Sequence, residues 1–247
     1  KGNPLSFLAI DRAETSFSDD VNTYADIVYA KAKELLDLRI AQGDFKQDED
    51  AFYYLYELTM QGRSQMGIVG CASVDDYLNN VIKKHENTRA DKEVDRIRHV
   101  DTCDAQTGPI FLAYREQFEL KAYKKSWIEG HEAEVDITFE DGVRHRIWVI
   151  NDADAVSKLN QLLLNLNDVY IADGHHRCAS AAKVGLMRRE ANPQYTGAEE
   201  YNYFLSVLFP DEELFIMDYN RVVKDLNGMS EQEFLAKISD SFEVTCI

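Results

Sequence analysis

Apolar positions along this chain switch repeatedly between a period of two and a helical period. Residues 51–58 (AFYYLYEL) and 65–72 (QMGIVGCA) are strand-like runs on either side of Gln61-Gly62-Arg63, which predicts a hairpin. Residues 134–139 and 143–150 alternate around Glu140-Asp141-Gly142 and predict a second, clearer one. Residues 5–10, 109–115, 168–172, 201–209 and 214–219 read as further strands, with Pro210-Asp211 turning between the last two. Helical spacing covers residues 21–42, with Tyr24, Ile27, Val28, Ala32, Leu35, Leu36 and Ile40 on the apolar side. Asp19 or Asp20 would cap that helix and Gly43 would stop it. Residues 74–81, 156–166 and 175–190 follow the same rule. Ser230 opens a last helix, with Glu233 placed for a capping box. The interleaving predicts an α/β (α+β) protein, a mixed sheet with flanking helices, without repeats or a Pro-rich linker. A single domain is expected. Residues 3–10 read as already inside it and residues 241–247 as a strand cut short, so truncation at one or both ends is expected too.

One polar run stands apart. Residues 83–100 (KKHENTRADKEVDRIRHV), read as a helix, carry His85, Arg89, Lys92, Arg96 and His99 on one stripe. Glu86, Ala90, Glu93, Ile97 and Val100 fall on the next stripe. Charge runs are ordinarily solvated faces. Composition changes the weight of this one: 27 Lys and Arg stand against 44 Asp and Glu, a net charge of −17. That balance argues against a general binder of nucleic acid or anionic membrane, and gives a local basic row a specific purpose. Hydrophobic residues at 45% and aromatics at 11% exclude a disordered chain. Cys71, Cys103, Cys178 and Cys246 have neither zinc nor thioredoxin spacing, which fits buried thiols in a reducing cytoplasm. No apolar run is long enough to span a bilayer and no signal peptide is present, so a cytoplasmic protein with no membrane partner is expected.

The chemistry concentrates at residues 168–185, DVYIADGHHRCASAAKVG. Val169, Tyr170 and Ile171 form a buried-strand pattern, Asp173-Gly174 breaks it, and a helix starts at His175. Gly174 lets the backbone turn, and the helix start points free N–H groups and a positive dipole end above the strand. Arg177 adds a forked grip suited to phosphate. Ala179, Ala181 and Ala182 let the helix lie close to the sheet. The stretch is neither a Walker A loop nor G-x-G-x-x-G. A plain strand–helix connection with solvated histidines is the competing reading. Zinc fits poorly: His175 and His176 point about 100° apart on a helix, and His85-Glu86 has Arg89 where a zinc motif needs its second histidine. A phosphohistidine relay is a minor alternative for the pair. Asp173 is the candidate Mg²⁺ ligand, or else the group that orients a histidine. Asn220 and Arg221, placed just after a strand, are a second candidate phosphate and substrate grip, or an exposed ion pair.

At IADGHHR the chain resembles the bacterial family of unknown function defined by an ADGHHR signature. That family is in turn similar to the ParB/sulfiredoxin superfamily, which includes free-serine kinases. Residues 3–8 (NPLSFL), 54–57 (YLYE), 83–96, 108–114 (GPIFLAY) and 219–228 (YNRVVKDLNG) are segments of that family's kind, in its order. The resemblance implies a ParB/sulfiredoxin-like core and phosphoryl chemistry. Asp173, Gly174, His175, His176 and Arg177 would cradle the phosphate, while His85, Arg89 and Arg96 of the basic row, and Arg221, are further phosphate-binding candidates from the charge pattern itself. The resemblance implies catalytic roles for Glu86, Asp173 and His175, with Glu86 as base for the acceptor hydroxyl. Asn220 would contact substrate. Cys178 stands where the family usually has Tyr. The implied activity is a kinase that phosphorylates the hydroxyl of free L-serine to give O-phosphoserine. Mg²⁺ would assist, and pyrophosphate, ADP or ATP would be the donor. A ParB-like nucleotide switch and a phosphometabolite-binding protein without catalysis are the rival readings.

Overall fold

The computed structural model describes residues 5–88 and 90–245, and of residues 90–92 the backbone alone. The chain divides into two compact units, Lys1–Leu214 and Phe215–Ile247.

The first unit is built on one mixed sheet. Its strands are β1 (Tyr53–Met60), β2 (Arg63–Ser73), β3 (Ile82–Lys83), β4 (Ile110–Tyr114), β5 (Val135–Thr138), β6 (Arg144–Ile150), β7 (Val169–Asp173) and β8 (Tyr203–Pro210). They lie in the order β3-β7-β4-β8-β2-β1-β6-β5. The β3/β7 and β4/β8 pairs are parallel and the other neighbours antiparallel. The helices are α1 (Leu8–Asp11), α2 (Asp26–Ala41), α3 (Val74–Leu78), α4 (Ala90–Cys103), α5 (Phe118–Gly130), α6 (Ala153–Leu164) and α7 (His175–Ala191). The second unit carries α8 (Glu231–Ser239), opened by the expected capping box between Ser230 and Glu233. No helix among the described residues is long and apolar enough to cross a membrane.

Both expected hairpins form. Met60 pairs with Arg63, so Gln61-Gly62 is a two-residue loop, and its φ angles of +52° and +78° match the twist of the strands. Alternation then builds the core. Ile110, Leu112 and Tyr114 project from one face of β4. Ile110 and Leu112 pack with Cys178, Ala181 and Ala182 of α7. Tyr114 packs with Ile68, Trp148, Leu120 of α5 and Leu159 of α6. The two clusters meet at Leu166 and Leu208. A third cluster, Val28, Ala32 and Cys103 with Ala13, joins α2 to α4. The small side chains of α7 do what the sequence expects: Ala179, Ala181, Ala182 and Gly185 are buried, and a Cβ on Gly185 would stand 2.7 Å from the Tyr201 carbonyl oxygen. Among the polar groups in the core is one ion pair, Lys124 with Glu116 at 3.1 Å, in which Lys124 also donates to the Tyr114 hydroxyl at 2.8 Å.

Four expectations are corrected. Residues 5–10 are not a strand; Leu8–Asp11 is a short helix that buries Ile10, because a short apolar run does not by itself distinguish the two. The helix expected from residue 21 begins at Asp26 instead. Asn22 accepts from the Tyr24 N–H at 2.9 Å in an Asx turn, so neither Asp19 nor Asp20 caps it. Residues 214–219 form no strand: β8 already has β4 and β2 on its two edges, so a hairpin partner has no edge to join. The charged helix starts at Ala90, which leaves His85 and Glu86 outside it and breaks the basic row. The helix α5 and the two-residue strand β3 were not expected.

Candidate functional site

β7 ends where its register against β4 shifts, and Asp173 pairs with Phe111. Gly174 follows in the left-handed region, φ +94° and ψ +31°, and α7 starts at once. The Arg177 guanidinium folds back over that glycine. A Cβ on Gly174 would lie 2.9 Å from Nη2, 3.0 Å from Nε and 3.2 Å from Cζ of Arg177. Glycine is therefore required twice, for its φ and for the closeness of the guanidinium. Arg177 Nη2 donates to Asp173 Oδ2 at 2.7 Å and Nη1 donates to the Pro109 carbonyl at 2.7 Å. The arginine thus ties the turn to the segment that enters β4.

Arg177 also lines a cavity of about 260 Å³ with Arg96, His99, Thr107 and Gly108, walled by Phe7, Leu8 and Val100. Arg96 Nη1 donates to Asp11 Oδ1 at 3.1 Å, and the Thr107 hydroxyl donates to the same oxygen at 3.2 Å. Two guanidinium groups and a hydroxyl therefore border one space, with a single carboxylate, Asp11, between them. An anion entering here competes with Asp11 for Arg96. His99 Nε2–H donates to the Ile10 carbonyl at 3.2 Å, while its Nδ1 is buried without a hydrogen-bond partner.

The other flank gathers histidines. His175, the first residue of α7, is only 6% exposed. Its Nδ1 lies 3.8 Å from Glu86 Oε2, and its ring meets His85 edge-on with centroids 4.4 Å apart. Burial, then the neighbouring His85, hold the His175 pKa below the ordinary imidazole value, against the pull of Glu86 and Asp173. The His175 Nε2 is buried with no hydrogen-bond partner, and so is Nδ1 of His176. Beneath them Glu93 is buried and accepts from Lys183 Nζ and from the Thr88 hydroxyl. Those two bonds hold its carboxyl below the usual range, and nearby His176 adds to the effect. Ser180 Oγ donates to the Glu93 carbonyl at 3.3 Å, so the start of α4 is fastened to α7.

The structure brings together Asp173, Gly174, His175, His176 and Arg177 with His85 and Glu86 on one flank and Arg96 on the other. Arg89 lies outside the described residues, as does the side chain of Lys92. Asn220 and Arg221 belong to the second unit, are exposed, and follow no strand; the Arg221 guanidinium lies 4.1 Å over the Tyr219 ring. Asp11, Thr107 and the Glu93–Lys183 pair were not singled out from sequence as site groups. Each acts through a partner far along the chain, and no local pattern marks it. For a metal, the site offers Asp173, one of whose oxygens already accepts from Arg177. Among the described residues no group of three or more His, Cys, Asp or Glu side chains is placed to hold an ion. Asp173 would be a carboxylate ligand for Mg²⁺, an ion that keeps waters and takes phosphate oxygens.

A family model described as "Protein of unknown function (DUF1015)" matches residues 1–246. The chain belongs to that family. No curated protein and no solved structure matches it. In this member of the family, then, chemistry has to be read from the turn after β7 and the two flanks described above.

Proposed function

We propose that this protein is a small-molecule kinase that moves a phosphoryl group from a phosphoanhydride donor to the hydroxyl of free L-serine, giving O-phosphoserine. The observation that carries the phosphoryl part is Arg177 held over the left-handed Gly174 at the start of a long helix, facing Arg96 across one cavity. Helix N–H groups and two guanidinium groups are the donors that phosphate chemistry uses to neutralise charge and fix an in-line geometry. Glu86, beside His175 and 57% exposed, would accept the hydroxyl proton of an incoming acceptor. Serine as acceptor rests on the resemblance to the free-serine kinases with a ParB/sulfiredoxin-like core. Pyrophosphate, ADP and ATP are the donors to compare. Mg²⁺, when bound, would screen donor phosphate oxygens, with Asp173 as its one protein ligand. The substrates are small molecules, and the acidic balance of the chain disfavours nucleic acid as a partner.

The test is phosphorus NMR of the protein with Mg²⁺, L-serine and each donor in separate tubes. A phosphoserine signal that disappears in Arg177→Ala supports the kinase and names the donor. Donor binding with slow hydrolysis and no effect of serine replaces it with a nucleotide switch. Binding with no turnover makes the protein a sensor.

A further inference from the structure

The unpartnered Nε2 of His175 is the feature that the proposed reaction leaves unused. A buried imidazole nitrogen without a hydrogen bond costs stability, and such atoms persist where chemistry needs them. Here the ring is the first residue of a 17-residue helix, directly after Gly174 and two residues before Arg177. It therefore lies at the helix end that favours phosphate. Its Nδ1 side faces the Glu86 carboxylate at 3.8 Å. That placement favours the tautomer with the proton on Nδ1 and leaves the lone pair on Nε2. An imidazole that faces a carboxylate with one nitrogen and has the other unpartnered has the form of an activated nucleophile. The neighbouring side chains of Glu86 and Asp173 are 57% and 73% exposed.

We propose that His175 Nε2 is the phosphoryl carrier, and that transfer passes through a phosphohistidine formed on this nitrogen. The inference rests on the phosphoryl-transfer reading above and deepens it. In the first step the Nε2 lone pair forms an N–P bond to the terminal phosphorus of the phosphoanhydride donor. The bridging P–O bond breaks, and its electron pair leaves with phosphate or the nucleoside phosphate. Nδ1 keeps its proton against Glu86. In the second step the acceptor hydroxyl oxygen bonds to phosphorus, the N–P electron pair returns to Nε2, and the hydroxyl proton passes to the Glu86 carboxylate and on to solvent. Each step is a displacement at phosphorus, so the configuration there is retained overall, whereas direct transfer inverts it.

The experiment gives the protein ³²P-labelled pyrophosphate or terminally labelled ATP with Mg²⁺ and no acceptor, quenches in alkali and maps the label. A phosphorylated histidine is acid-labile and alkali-stable. The expected result is label approaching one per chain on His175, assigned by phosphorus NMR to Nε2, and absent in His175→Asn and His175→Gln. The wild-type map decides the matter even if both variants fold poorly. Phosphoserine formed without any labelled enzyme, with inversion at phosphorus, overturns the inference and leaves the kinase reading intact. Label on His175 with no transfer to serine keeps the carrier and removes serine as acceptor. Label on His85 or His176, or on Nδ1 of His175, overturns the assignment of the carrier atom. Neither label nor phosphoserine overturns both.

Discussion

Replacing Gly174 by Ala tests the turn, and Gly43 supplies its control. Gly43 has φ +78° with nothing within 4 Å of an added Cβ, and Gly174 has φ +94° with three guanidinium atoms of Arg177 at 2.9–3.2 Å. Both substitutions force an L-residue into the left-handed region, at a cost of about 1–2 kcal/mol. Gly174→Ala must in addition push Arg177 away from Asp173 Oδ2 and the Pro109 carbonyl. A hydrogen bond to a charged group contributes about 1.5–3 kcal/mol. Because the Arg177 side chain is 33% exposed, solvent screening brings the added loss down to roughly 1–2 kcal/mol. The expected totals are about 2–4 kcal/mol for Gly174→Ala and about 1–2 kcal/mol for Gly43→Ala. At about 2–4 °C per kcal/mol for a chain of this size, the first lowers the melting temperature about twice as far as the second. Thermal melts by circular dichroism read the stability, and calorimetric titration with pyrophosphate reads the site. Pyrophosphate affinity should fall by about tenfold or more in Gly174→Ala and stay unchanged in Gly43→Ala. Equal melting shifts and equal pyrophosphate affinities in the two variants would refute the reasoning, because Arg177 would then not be held by the closeness that only glycine permits.

Four further outcomes are expected. Lys124→Ala leaves Glu116 buried without its counter-charge and should cost about 3–5 kcal/mol in urea unfolding, whereas a change below 1 kcal/mol would mean that water reaches the pair. Gly185→Ala gains helix propensity yet meets the Tyr201 carbonyl at 2.7 Å, so a net loss of about 1–3 kcal/mol is expected, and a stabilised variant would show that α7 can shift outward. Glu93 has a folded-state pKa below its unfolded value, so its contribution to stability is fully present above about pH 4.3 and is lost as pH falls through the lower folded value. Glu93→Gln should therefore flatten the acid limb of the stability curve, and an unchanged limb removes the Lys183 and Thr88 bonds from the account. Burial pushes the Cys178 thiol up to about 12, so iodoacetamide at pH 8 should leave it unlabelled in the native protein and label it once unfolded.

Residues 168–185 show how far local pattern reaches. A β-branched and aromatic run, a glycine and a file of small residues specify strand, left-handed turn and close-packed helix through backbone dihedrals and near-neighbour sterics alone. The Gln61-Gly62 hairpin and the Ser230–Glu233 box were legible for the same reason. Where local energies are balanced, pattern does not decide: residues 5–10 fit a strand or a helix turn equally, and Leu8–Asp11 is a helix that buries Ile10. Residues 214–219 have strand composition, but the two edges of β8 were already taken, a fact of sheet order that no window of sequence contains.

What the sequence determined by itself was the class of fold, the strand–glycine–helix turn and the residue types available for phosphate chemistry. The tertiary structure decided which of them meet. Sheet order places the helix that follows β7 beside the stretch that follows β3, and so sets Glu86 and His85 against His175. The packing of α4 on α7 turns Arg96 toward the same cavity as Arg177, while the later start of α4 separates the basic row that a continuous helix would have carried. Backbone conformation is chosen over a few residues, whereas the convergence of side chains from distant segments depends on how the whole sheet closes its core.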